Sequence, residues 1–468
     1  MDIVPFSFSL FSSKATVIEE NGQTHQLNEV ILNGDWLFSS IKSGSLVLLL
    51  CQNNFESVFF YVNAVERGVA TILLDSDINE GLLKALIDEY KPKFVFCPSS
   101  TTYLFSDYSR ERDYRNYCLY SRQHDDEFHV NTELAVLLST SGTTGSPKLV
   151  RLSKFNLRSN AESICNYLCI DSSYRAITNL PMNYSFGLSI VNSHLFAGGA
   201  IVVTNESITQ RRFWSLFNEH KVTSFSGVPF TFEILKKLRL LNAELPSLKM
   251  LTQAGGKLSN ELIEFFAQFS RGKGVEFFVM YGQTEGTARL SYLHPHYTIE
   301  KLGSIGKPIP NGEFYIIDGY GNKINEPRTP GELVYSGPNV MLGYAESRAD
   351  LYLGDVNRGR LLTGDIAFCD DDGYYFIVGR IKRFIKLFGN RVNLDELESL
   401  LFDIGVQAAC VGRDNFLVIY ITNLDNKDIV KEFLAKKLAI HFSVVDIRLI
   451  SKIPKSSSGK TLYSNLSL

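Results

Sequence analysis

Short apolar runs alternate with helical patterns along the first 380 residues of the chain. The apolar runs predict strands at residues 45–51, 69–74, 93–97 and 133–138. Helical patterns, such as the one at residues 81–90, separate these runs. Because strands that alternate with helices assemble into sheets covered by those helices, the pattern predicts an α/β fold with largely buried sheets.

A polar loop follows the fourth predicted strand, and a helix is predicted after it. Ser153 precedes the helical pattern and is a typical N-cap residue. The spacing of the apolar positions puts them on one face of that helix: Leu157, Ala161, Ile164, Cys165 and Leu168.

The last part of the chain has a pattern of its own. Asn393 followed by Glu396 predicts a capping box at the start of a helix, and strands are predicted at residues 416–422 and 444–450. An amphipathic helix between those strands is indicated by Ile429, Val430, Phe433, Leu434 and Leu438. We therefore predict a large amino-terminal domain, residues 1–380, and a small α+β carboxy-terminal domain, residues 381–468, joined by a tight hinge.

Composition narrows the class of protein. The chain has 468 residues, of which 45% are apolar and 21% are charged, and this excludes a disordered chain, a collagen-like chain and a disulfide scaffold. The formal net charge of −3 gives no broad electrostatic footprint for a nucleic acid. Seven scattered cysteines favour a reducing compartment, and the first residues lack a signal-peptide pattern. The longest apolar runs span about six residues, whereas a bilayer crossing needs roughly 20. These features predict a cytoplasmic protein with no membrane or nucleic-acid partner.

The polar loop at residues 139–148 is the most unusual segment of the sequence. It contains Ser139, Thr140, Ser141, Gly142, Thr143, Thr144, Gly145, Ser146, Pro147 and Lys148. Glycines allow successive backbone N–H groups to face one point, hydroxyls add donors, and the lysine adds positive charge. The segment is not a Walker A loop, because proline precedes the lysine and leucine follows it. A plain surface connector is the alternative, but the density of donors favours a polyphosphate-binding loop.

This loop resembles the signature of the adenylate-forming superfamily, which comprises acyl-CoA synthetases, peptide-synthetase adenylation domains and beetle luciferases. Further segments are similar to that family's motifs and follow in its order: NLPMNYSFG (179–187), TQAGG (252–256), YGQTE (281–285), GEL (331–333) with GY (343–344), TGD (363–365), the stretch 379–398, and PKSSSGK (454–460). The resemblance extends from about residue 134 to residue 460. It implies the fold of adenylate-forming enzymes, in which the small carboxy-terminal domain is mobile.

The resemblance also implies a reaction. A carboxylate would attack the α-phosphorus of ATP in the presence of Mg²⁺, and the acyl-adenylate would then pass its acyl group to CoA or to the phosphopantetheine of an acyl-carrier protein. Both reactants of the first step are anions, and unit charges about 4 Å apart repel by about 4 kcal/mol at an effective dielectric constant of about 20. The site must therefore supply positive charge, oriented N–H donors and a divalent cation.

The motifs imply a set of nucleotide-binding residues. The polar loop would hold the β- and γ-phosphates, Tyr281 would stack on adenine, and Asp365 would accept the ribose hydroxyls. The complete set is Thr140, Ser141, Gly142, Thr143, Thr144, Gly145, Lys148, Gly255, Gly256, Tyr281, Gly282, Asp365 and Arg380.

The resemblance implies three catalytic residues. Lys460 would bridge the carboxylate and the α-phosphate, Thr284 would place its hydroxyl on the α-phosphate, and Glu285 would bind Mg²⁺. In the thiol step the small domain would rotate about Lys382 and bring Gly389 to the pantetheine arm. Taken singly, Glu285 is an ordinary surface acid and Lys460 a solvated terminal lysine, and it is their place in the motifs that favours function.

The acyl pocket implied by the motifs consists of Tyr184, Ser185, Gly187 and Ala254. Many family members have histidine where Tyr184 stands, and members that activate amino acids have aspartate where Ser185 stands. Because an unpaired buried ammonium is costly, Ser185 disfavours an α-amino acid as substrate.

Two alternatives to an acyl ligase stay open. One is an enzyme that adenylates an amino acid and loads it onto a carrier protein. The other is a catalytically inactive nucleotide- or acyl-binding protein, against which the retained Lys148, Glu285, Asp365 and Lys460 argue. A luciferase-like oxidation has no separate support in the sequence.

Overall fold

The computed structural model describes residues 9–105, 107–123, 128–139, 148–238, 244–387, 390–437, 442–455 and 461–468. Its helices are α1 (Leu27–Leu37), α2 (Phe55–Glu66), α3 (Glu80–Tyr90), α4 (Lys154–Leu168), α5 (Ser185–Phe196), α6 (Arg211–Glu219), α7 (Pro229–Lys237), α8 (Asn260–Lys273), α9 (Leu394–Asp403) and α10 (Asn426–Lys437). None of the helices in this part of the chain combines the length and the apolar character that a bilayer crossing requires.

The strands form two large sheets and three smaller ones. In chain order they are β1 (Thr16–Ile18), β2 (Thr24–Gln26), β3 (Leu46–Cys51), β4 (Ala70–Asp75), β5 (Phe94–Pro98), β6 (Tyr108–Tyr114), β7 (Tyr117–Arg122), β8 (Leu134–Ser139), β9 (Leu149–Ser153), β10 (Arg175–Ile177), β11 (Ala200–Val202), β12 (Ser224–Gly227), β13 (Met250–Gln253), β14 (Glu276–Tyr281), β15 (Ser291–Leu293), β16 (Lys307–Pro308), β17 (Glu313–Ile317), β18 (Lys323–Ile324), β19 (Gly331–Ser336), β20 (Gly343–Ala345), β21 (Arg360–Cys369), β22 (Tyr375–Arg380), β23 (Phe384–Leu387), β24 (Asn390–Asn393), β25 (Ala408–Arg413), β26 (Phe416–Ile421) and β27 (Val445–Leu449). The sheet orders are β20-β9-β8-β4-β3-β5-β7-β6, β16-β15-β14-β13-β12-β10-β11-β1-β2, β18-β17-β19-β21-β22, β23-β24 and β25-β26-β27.

Strand β3 lies in the interior of the eight-stranded sheet. This position explains why its sequence is apolar at every position. Successive side chains of a strand point to opposite faces. Val47 and Leu49 belong to the same apolar cluster as Phe59 of α2, whereas Leu48 clusters with Leu83 of α3. Helices therefore cover both faces of this sheet.

Helices α2, α4 and α5 lie between the two large sheets. The apolar cluster that contains Leu49 of β3 also contains Leu157 of α4, Leu188 of α5 and Ile201 of β11. Nearly every residue of α2 and α5 is buried, as expected for a helix with sheets on both sides. The first turn of α5 is consequently fixed inside the molecule, where it can position side chains.

Three neighbouring strands of the nine-stranded sheet set up the candidate site. Strands β12, β13 and β14 are parallel, and Gly227 pairs with Gln253, which in turn pairs with Val279. The motif segments 254–256 and 282–285 follow β13 and β14 directly. Because the carboxyl ends of parallel strands meet at one edge, both segments lie where open α/β sheets bind ligands.

The carboxy-terminal segment has an apolar cluster of its own, which includes Ile385, Leu401 and Leu417. Asn393 caps α9 by accepting from the backbone N–H groups of Asp395 and Glu396, which bears out the predicted helix start and N-cap, and its amide donates to the Val378 carbonyl at 2.7 Å. That bond links the start of α9 to β22. The domain boundary at residue 380 stays a prediction.

The sequence patterns located the elements closely. The strands predicted at 45–51, 69–74, 93–97 and 133–138 correspond to β3, β4, β5 and β8, each displaced by one residue or less at either end. The helix predicted after Ser153 is α4, and Ser153 forms a reciprocal capping box with Asn156. The predicted α/β class is confirmed.

His194 in α5 gives the fold a defined pH dependence. Its ring nitrogens lie 2.9 Å from the Ile190 carbonyl and 2.8 Å from the Ser224 hydroxyl, and burial lowers its pKa from the ordinary 6.5 to about 4. Below about pH 6.5 the unfolded chain binds a proton here that the folded chain does not bind, so this contribution to stability is lost as the pH falls from 6.5 towards 4.

We expect this loss to be absent in His194→Gln, which keeps a polar side chain but cannot titrate. Relative to that variant, the unfolding free energy of the wild type should fall by up to about 1.4 kcal/mol per pH unit below pH 6.5. Urea unfolding of both proteins at pH 7 and pH 5 measures the difference. Parallel pH dependences would contradict the assignment.

Candidate active site

Asp365 lies at the centre of the candidate site. Its two carboxylate oxygens accept hydrogen bonds from the Tyr281 hydroxyl at 2.5 Å and from Arg380 Nε at 2.9 Å. Asp365 pairs directly with Arg380 in the antiparallel register of β21 and β22, whereas Tyr281 ends β14 in the nine-stranded sheet. The Asp365 carboxylate thus links two sheets. Its hydrogen bonds also bring three of the predicted nucleotide-binding residues together.

Burial and charge act in opposite directions on this carboxylate. Asp365 is 3% exposed, and burial raises its pKa, while the charge of Arg380 and the Tyr281 hydrogen bond act to lower it. The neighbouring carboxylate raises the pKa of Arg380, whose side chain is 64% exposed. Arg380 therefore stays charged and can reach solvent or a phosphate. Asp365 can accept from a ribose hydroxyl only through the lone pairs that Tyr281 and Arg380 do not use.

The predicted adenine-flanking turn lies against Tyr184. Gly255 has φ +83°, a backbone conformation that L side chains rarely adopt, and a Cβ there would lie 2.5 Å from the Tyr184 hydroxyl. Ala254 is buried beside it, and Gly256 approaches Pro229. This turn and Tyr184 of the acyl-pocket motif thus form one wall of the candidate site.

The acyl-pocket motif meets the nucleotide motif through two hydroxyl groups. Ser185 is the first residue of α5, and its Oγ lies 3.1 Å from Oγ1 of Thr284. These residues are far apart in sequence, so the contact is a product of the fold. The predicted acid site and the predicted α-phosphate site are therefore adjacent.

Glu285 and Lys148 both contact Tyr344. The Tyr344 hydroxyl donates to Glu285 Oε1 at 2.8 Å, and Lys148 Nζ lies 3.6 Å from the centroid of the Tyr344 ring. Lys148 also pairs with Glu346 at 3.1 Å, but both side chains are partly exposed, and such a pair contributes at most about 1 kcal/mol. A phosphate can therefore compete for this lysine.

At two of the predicted site glycines, close packing of the backbone already excludes a side chain. A Cβ at Gly282 would lie 1.7 Å from the Ala288 carbonyl oxygen, and a Cβ at Gly187 would lie 2.2 Å from the Pro181 carbonyl oxygen. Their predicted roles in nucleotide and acyl binding stay predictions, since these close approaches alone account for glycine.

Several predicted site residues lie outside the described part of the chain. They are Thr140, Ser141, Gly142, Thr143, Thr144, Gly145, Gly389 and Lys460, together with the side chain of Lys382. Their roles stay as the resemblance implies them.

The sequence interpretation assigned no role to two residues that the structure brings to this region. Tyr344 lay within a recognised motif, but its contact with Glu285 depends on the antiparallel pairing of β20 with β9. Arg289 is 1% exposed, with its guanidinium carbon 4.4 Å from the ring centroid of Phe186. The sequence signal that could have drawn attention to Arg289 was its position between two apolar strands, β14 and β15.

Comparison with known proteins identifies the family. A family model described as "AMP-binding enzyme" matches residues 34–345, which is more than half of the chain. The chain belongs to this family of AMP-binding enzymes. The predicted membership of the adenylate-forming superfamily is thereby confirmed.

Curated relatives of this AMP-binding enzyme include several proteins named as CoA ligases. The 2-succinylbenzoate–CoA ligase of Bacillus subtilis (strain 168) is 27% identical over 454 residues, covering 91% of this chain and 88% of that protein. The peroxisomal OPC-8:0-CoA ligase 1 of Arabidopsis thaliana is 30% identical over 350 residues, covering 71% of this chain and 64% of that protein. The 4-coumarate–CoA ligase-like 6 of the same plant is 29% identical, with 71% and 62% covered. The chain thus matches less than two-thirds of the length of either plant relative.

Solved structures share the fold of this AMP-binding enzyme. The O-succinylbenzoate coenzyme A synthetase of Bacillus subtilis in complex with AMP has a TM-score of 0.78 at 23% identity, covering 98% of this chain and 96% of that chain. One structure from a study of the fatty acyl-adenylate ligases of E. coli and L. pneumophila has a TM-score of 0.75 at 17% identity, covering 98% of this chain and 95% of that chain. At these identities the likeness establishes the fold alone.

The buried carboxylate gives a direct test of nucleotide binding. Asp365→Asn replaces one accepting oxygen with an NH₂ group and removes the charge that faces Arg380, so we expect AMP to bind about tenfold more weakly or worse. Isothermal titration calorimetry measures the dissociation constant. The control is Asp371→Asn, which alters an exposed pair with Arg328 and should leave AMP binding unchanged. Equal affinities for wild type and Asp365→Asn would contradict the role.

Proposed function

We propose that this chain is an ATP-dependent acid–thiol ligase that adenylates a carboxylic acid and then transfers the acyl group to CoA. The observation that carries the proposal is the 3.1 Å contact between the hydroxyls of Ser185 and Thr284. Adenylation requires an acid and an α-phosphate side by side, and this contact joins the two motifs that resemble their binding sites. The names of the relatives as CoA ligases support the same reaction.

The nucleotide would be held across the strand-end edge. Asp365 would accept from the ribose, adenine would lie between Tyr281 and the Gly255–Gly256 turn, and Arg380 would face the ribose or a phosphate. Tyr281 is already oriented by its bond to Asp365. Preorganised donors and acceptors of this kind lower the cost of reorganisation when charge develops in a reaction.

Glu285 and Thr284 offer the oxygen donors that suit Mg²⁺. Magnesium in such sites is usually held by one or two carboxylates together with substrate phosphates. Within the described ranges no group of three or more His, Cys, Asp or Glu side chains gathers around a common point. When bound, the cation offsets phosphate charge, and Tyr344 holds the Glu285 carboxylate in place for it.

The chemistry consists of two displacements. In the first, an oxygen of the acid's carboxylate bonds to the α-phosphorus, the bond from that phosphorus to the α–β bridging oxygen breaks, and pyrophosphate leaves with the electron pair. In the second, the thiol sulfur bonds to the acyl carbon, the bond to the AMP oxygen breaks, and the thiol proton is released. Lys148 and Arg380 would offset negative charge near the nucleotide.

The segments that flank Lys460 support its proposed role. Lys455 and Thr461 form an antiparallel bridge, which brings together the two ends of the loop that contains Lys460. Lys455 Nζ lies 5.1 Å from the ring centroid of Phe230 in α7, and Pro229 of the same helix adjoins Gly256. The residues on either side of the segment 456–460 thus lie near the turn that the motifs assign to adenine.

The proposed thiol step depends on residues whose assignment comes from the resemblance. Rotation about Lys382 would replace the Lys460 loop by the segment that contains Gly389. CoA is the acceptor favoured by the relatives' names, and a phosphopantetheine carrier protein is the alternative acceptor. Lys382 is the proposed hinge residue, and the proposed domain boundary lies between residues 380 and 381.

Amino-acid activation is the second candidate function, and two contacts argue against it. The Ser185 hydroxyl is paired with Thr284 rather than with a carboxylate, and the charged side chain beneath Phe186 is Arg289. A buried guanidinium repels an ammonium group.

The exchange of labelled pyrophosphate into ATP tests the proposal. We expect exchange that depends on a carboxylic acid, together with thioester formation only when CoA or a phosphopantetheine acceptor is added. Exchange with amino acids alone would favour the second candidate. Failure of every carboxylic and amino acid in a broad panel would favour an inactive nucleotide-binding protein.

Lys460→Ala separates the two half-reactions. Loss of one preorganised cation in the transition state should lower pyrophosphate exchange by about 10²–10³-fold, while thioester formation from a supplied acyl-adenylate should stay within a few-fold of wild type. Lys452→Ala, an exposed lysine of the same segment, is the control and should leave both rates unchanged. Near-normal exchange by Lys460→Ala would refute the assignment.

A further inference from the structure

A small cavity adjoins the proposed acid site. It lies between β8, β9, α4 and α5, and it has room for about one water-sized group. The residues that line it are Leu138, Leu152, Leu157, Asn160, Ala161, Ser185, Leu188, Ser189, Asn192 and Thr287. Half of them are polar, and none of these polar residues is more than 7% exposed. Because buried cavities without an occupant have apolar walls, the polar lining indicates that this cavity receives a polar group.

Asn192 of α5 offers a hydrogen-bond donor to the cavity. It is 3% exposed, and its Oδ1 accepts from the Tyr61 hydroxyl at 2.8 Å. Its Nδ2 has no acceptor among the described residues. A buried N–H group without an acceptor destabilises the folded chain. The Asn192 amide therefore calls for an acceptor inside the cavity that it lines.

Three oxygen atoms of the lining offer acceptors. Asn160 of α4 is 2% exposed, and its Oδ1 has no donor among the described residues. The Ser189 hydroxyl donates to the Phe186 carbonyl at 2.7 Å. The Thr287 hydroxyl donates to the Asn339 carbonyl at 2.6 Å. Each of these two hydroxyl oxygens keeps lone pairs, so the cavity presents acceptors as well as a donor.

The backbone that brings Thr287 to the cavity is strained. Thr287 has φ +54°, a value that β-branched residues rarely adopt. Its N–H group donates to the Thr284 carbonyl at 3.0 Å and closes the turn that carries Thr284. Strain of this kind persists mainly at functional sites. The strained residue thus links the cavity to a residue of the proposed adenylation site.

Ser185 connects the cavity to the place proposed for the reacting carboxylate. It lines the cavity, and its Oγ lies 3.1 Å from Oγ1 of Thr284. A single side chain therefore separates the two places. A substrate group that enters the cavity must belong to the part of the acid next to its carboxylate.

The lining suits a neutral group that both donates and accepts. Among the described residues, no ionisable side chain lines the cavity, so a charged group would lose its water without gaining a counter-ion. A methyl group would leave Asn192 Nδ2 and Asn160 Oδ1 without partners. A hydroxyl group satisfies both, because its oxygen can accept from Asn192 and its proton can go to Asn160.

We propose that this cavity binds a hydroxyl group of the acid, so that the ligase acts on a hydroxy acid whose hydroxyl lies on the second or third carbon. The inference rests on the proposed function, and it names the substrate class. Asn192 is the specificity-determining residue, since its Nδ2 donates to the hydroxyl oxygen. Asn160 accepts the hydroxyl proton.

Pyrophosphate exchange with matched sets of acids tests the proposal. Each set consists of a monocarboxylic acid, its 2-hydroxy and 3-hydroxy derivatives, and the 2-methyl and 3-methyl derivatives as controls for size. For the wild type we expect kcat/KM to be about 30-fold or more higher for one hydroxy acid than for its parent and its methyl analogue, because a site that binds a hydroxyl rejects analogues without one. Equal values for hydroxy acids and parents in every set would overturn the inference.

Substitutions in α5 test whether the lining carries the preference. Asn192→Leu keeps the size of the side chain but removes the donor, so it should lose about 30-fold or more with the hydroxy acid and little with the parent. Ser189→Ala should lower the same ratio by a smaller factor. Ser193→Ala is its matched control, because Ser193 is a buried serine of α5 that donates to the Ile190 carbonyl at 3.2 Å and does not line the cavity. It should leave the ratio unchanged.

The outcomes are distinguishable. An equal loss of hydroxy acid and parent in Asn192→Leu would show a structural role only and would overturn the assignment of Asn192. If that variant does not fold, the wild-type ratio and the comparison of Ser189→Ala with Ser193→Ala decide. Exchange with plain acids and no preference for a hydroxyl would overturn this inference while the ligase proposal stands. If no acid supports exchange, the ligase proposal fails, and this inference fails with it.

Discussion

The candidate site depends on the hydrogen bonds that the buried carboxylate of Asp365 accepts. This carboxylate joins Tyr281 at the end of a parallel strand to Arg380 at the end of the five-stranded sheet, and Arg380 also marks the proposed boundary of the large domain. A buried carboxylate is costly unless its partners are complete, so the three residues must adopt one arrangement. These hydrogen bonds link the nine-stranded sheet to the five-stranded sheet. The same partners leave lone pairs on Asp365 for the ribose and leave Arg380 largely exposed to phosphate.

The cations around the site are held in three different ways. Arg380 is paired with a buried carboxylate, Lys148 rests on the Tyr344 ring and pairs with an exposed glutamate, and Arg289 has no ion pair in the described ranges. The first arrangement is rigid, the second is easily exchanged for a phosphate, and the third leaves a buried guanidinium with a hydroxyl and a thioether as acceptors. Because the proposed reaction brings a negatively charged acid to a negatively charged nucleotide, a graded set of cations suits it better than a single strong one.

The sequence predicted most of the fold because its signals are local. The alternating faces of β3 and the Ser153 cap of α4 are determined by neighbouring residues, and they were located within a residue. Motif resemblance assigned roles to Asp365, Tyr281 and Thr284, and these roles stay predictions. The glycines at 187 and 282 have packing reasons that a motif does not reveal. The Ser185–Thr284 and Tyr344–Glu285 contacts could not be predicted, since they join segments that only the sheet pairing brings together. Arg289 was missed for a related reason: an isolated arginine is usually a surface residue, and only its burial without an ion pair distinguishes it.

The central claim is that nucleotide and acid meet between the Asp365 network and the start of α5. A crystal structure with a non-hydrolysable acyl-adenylate analogue tests it most directly. The account predicts ribose hydroxyls within hydrogen-bond distance of Asp365, the adenine between Tyr281 and the Gly255–Gly256 turn, and the acyl carbonyl next to Ser185 and Thr284. An analogue bound elsewhere, with Asp365 contacting only Tyr281 and Arg380, would contradict it.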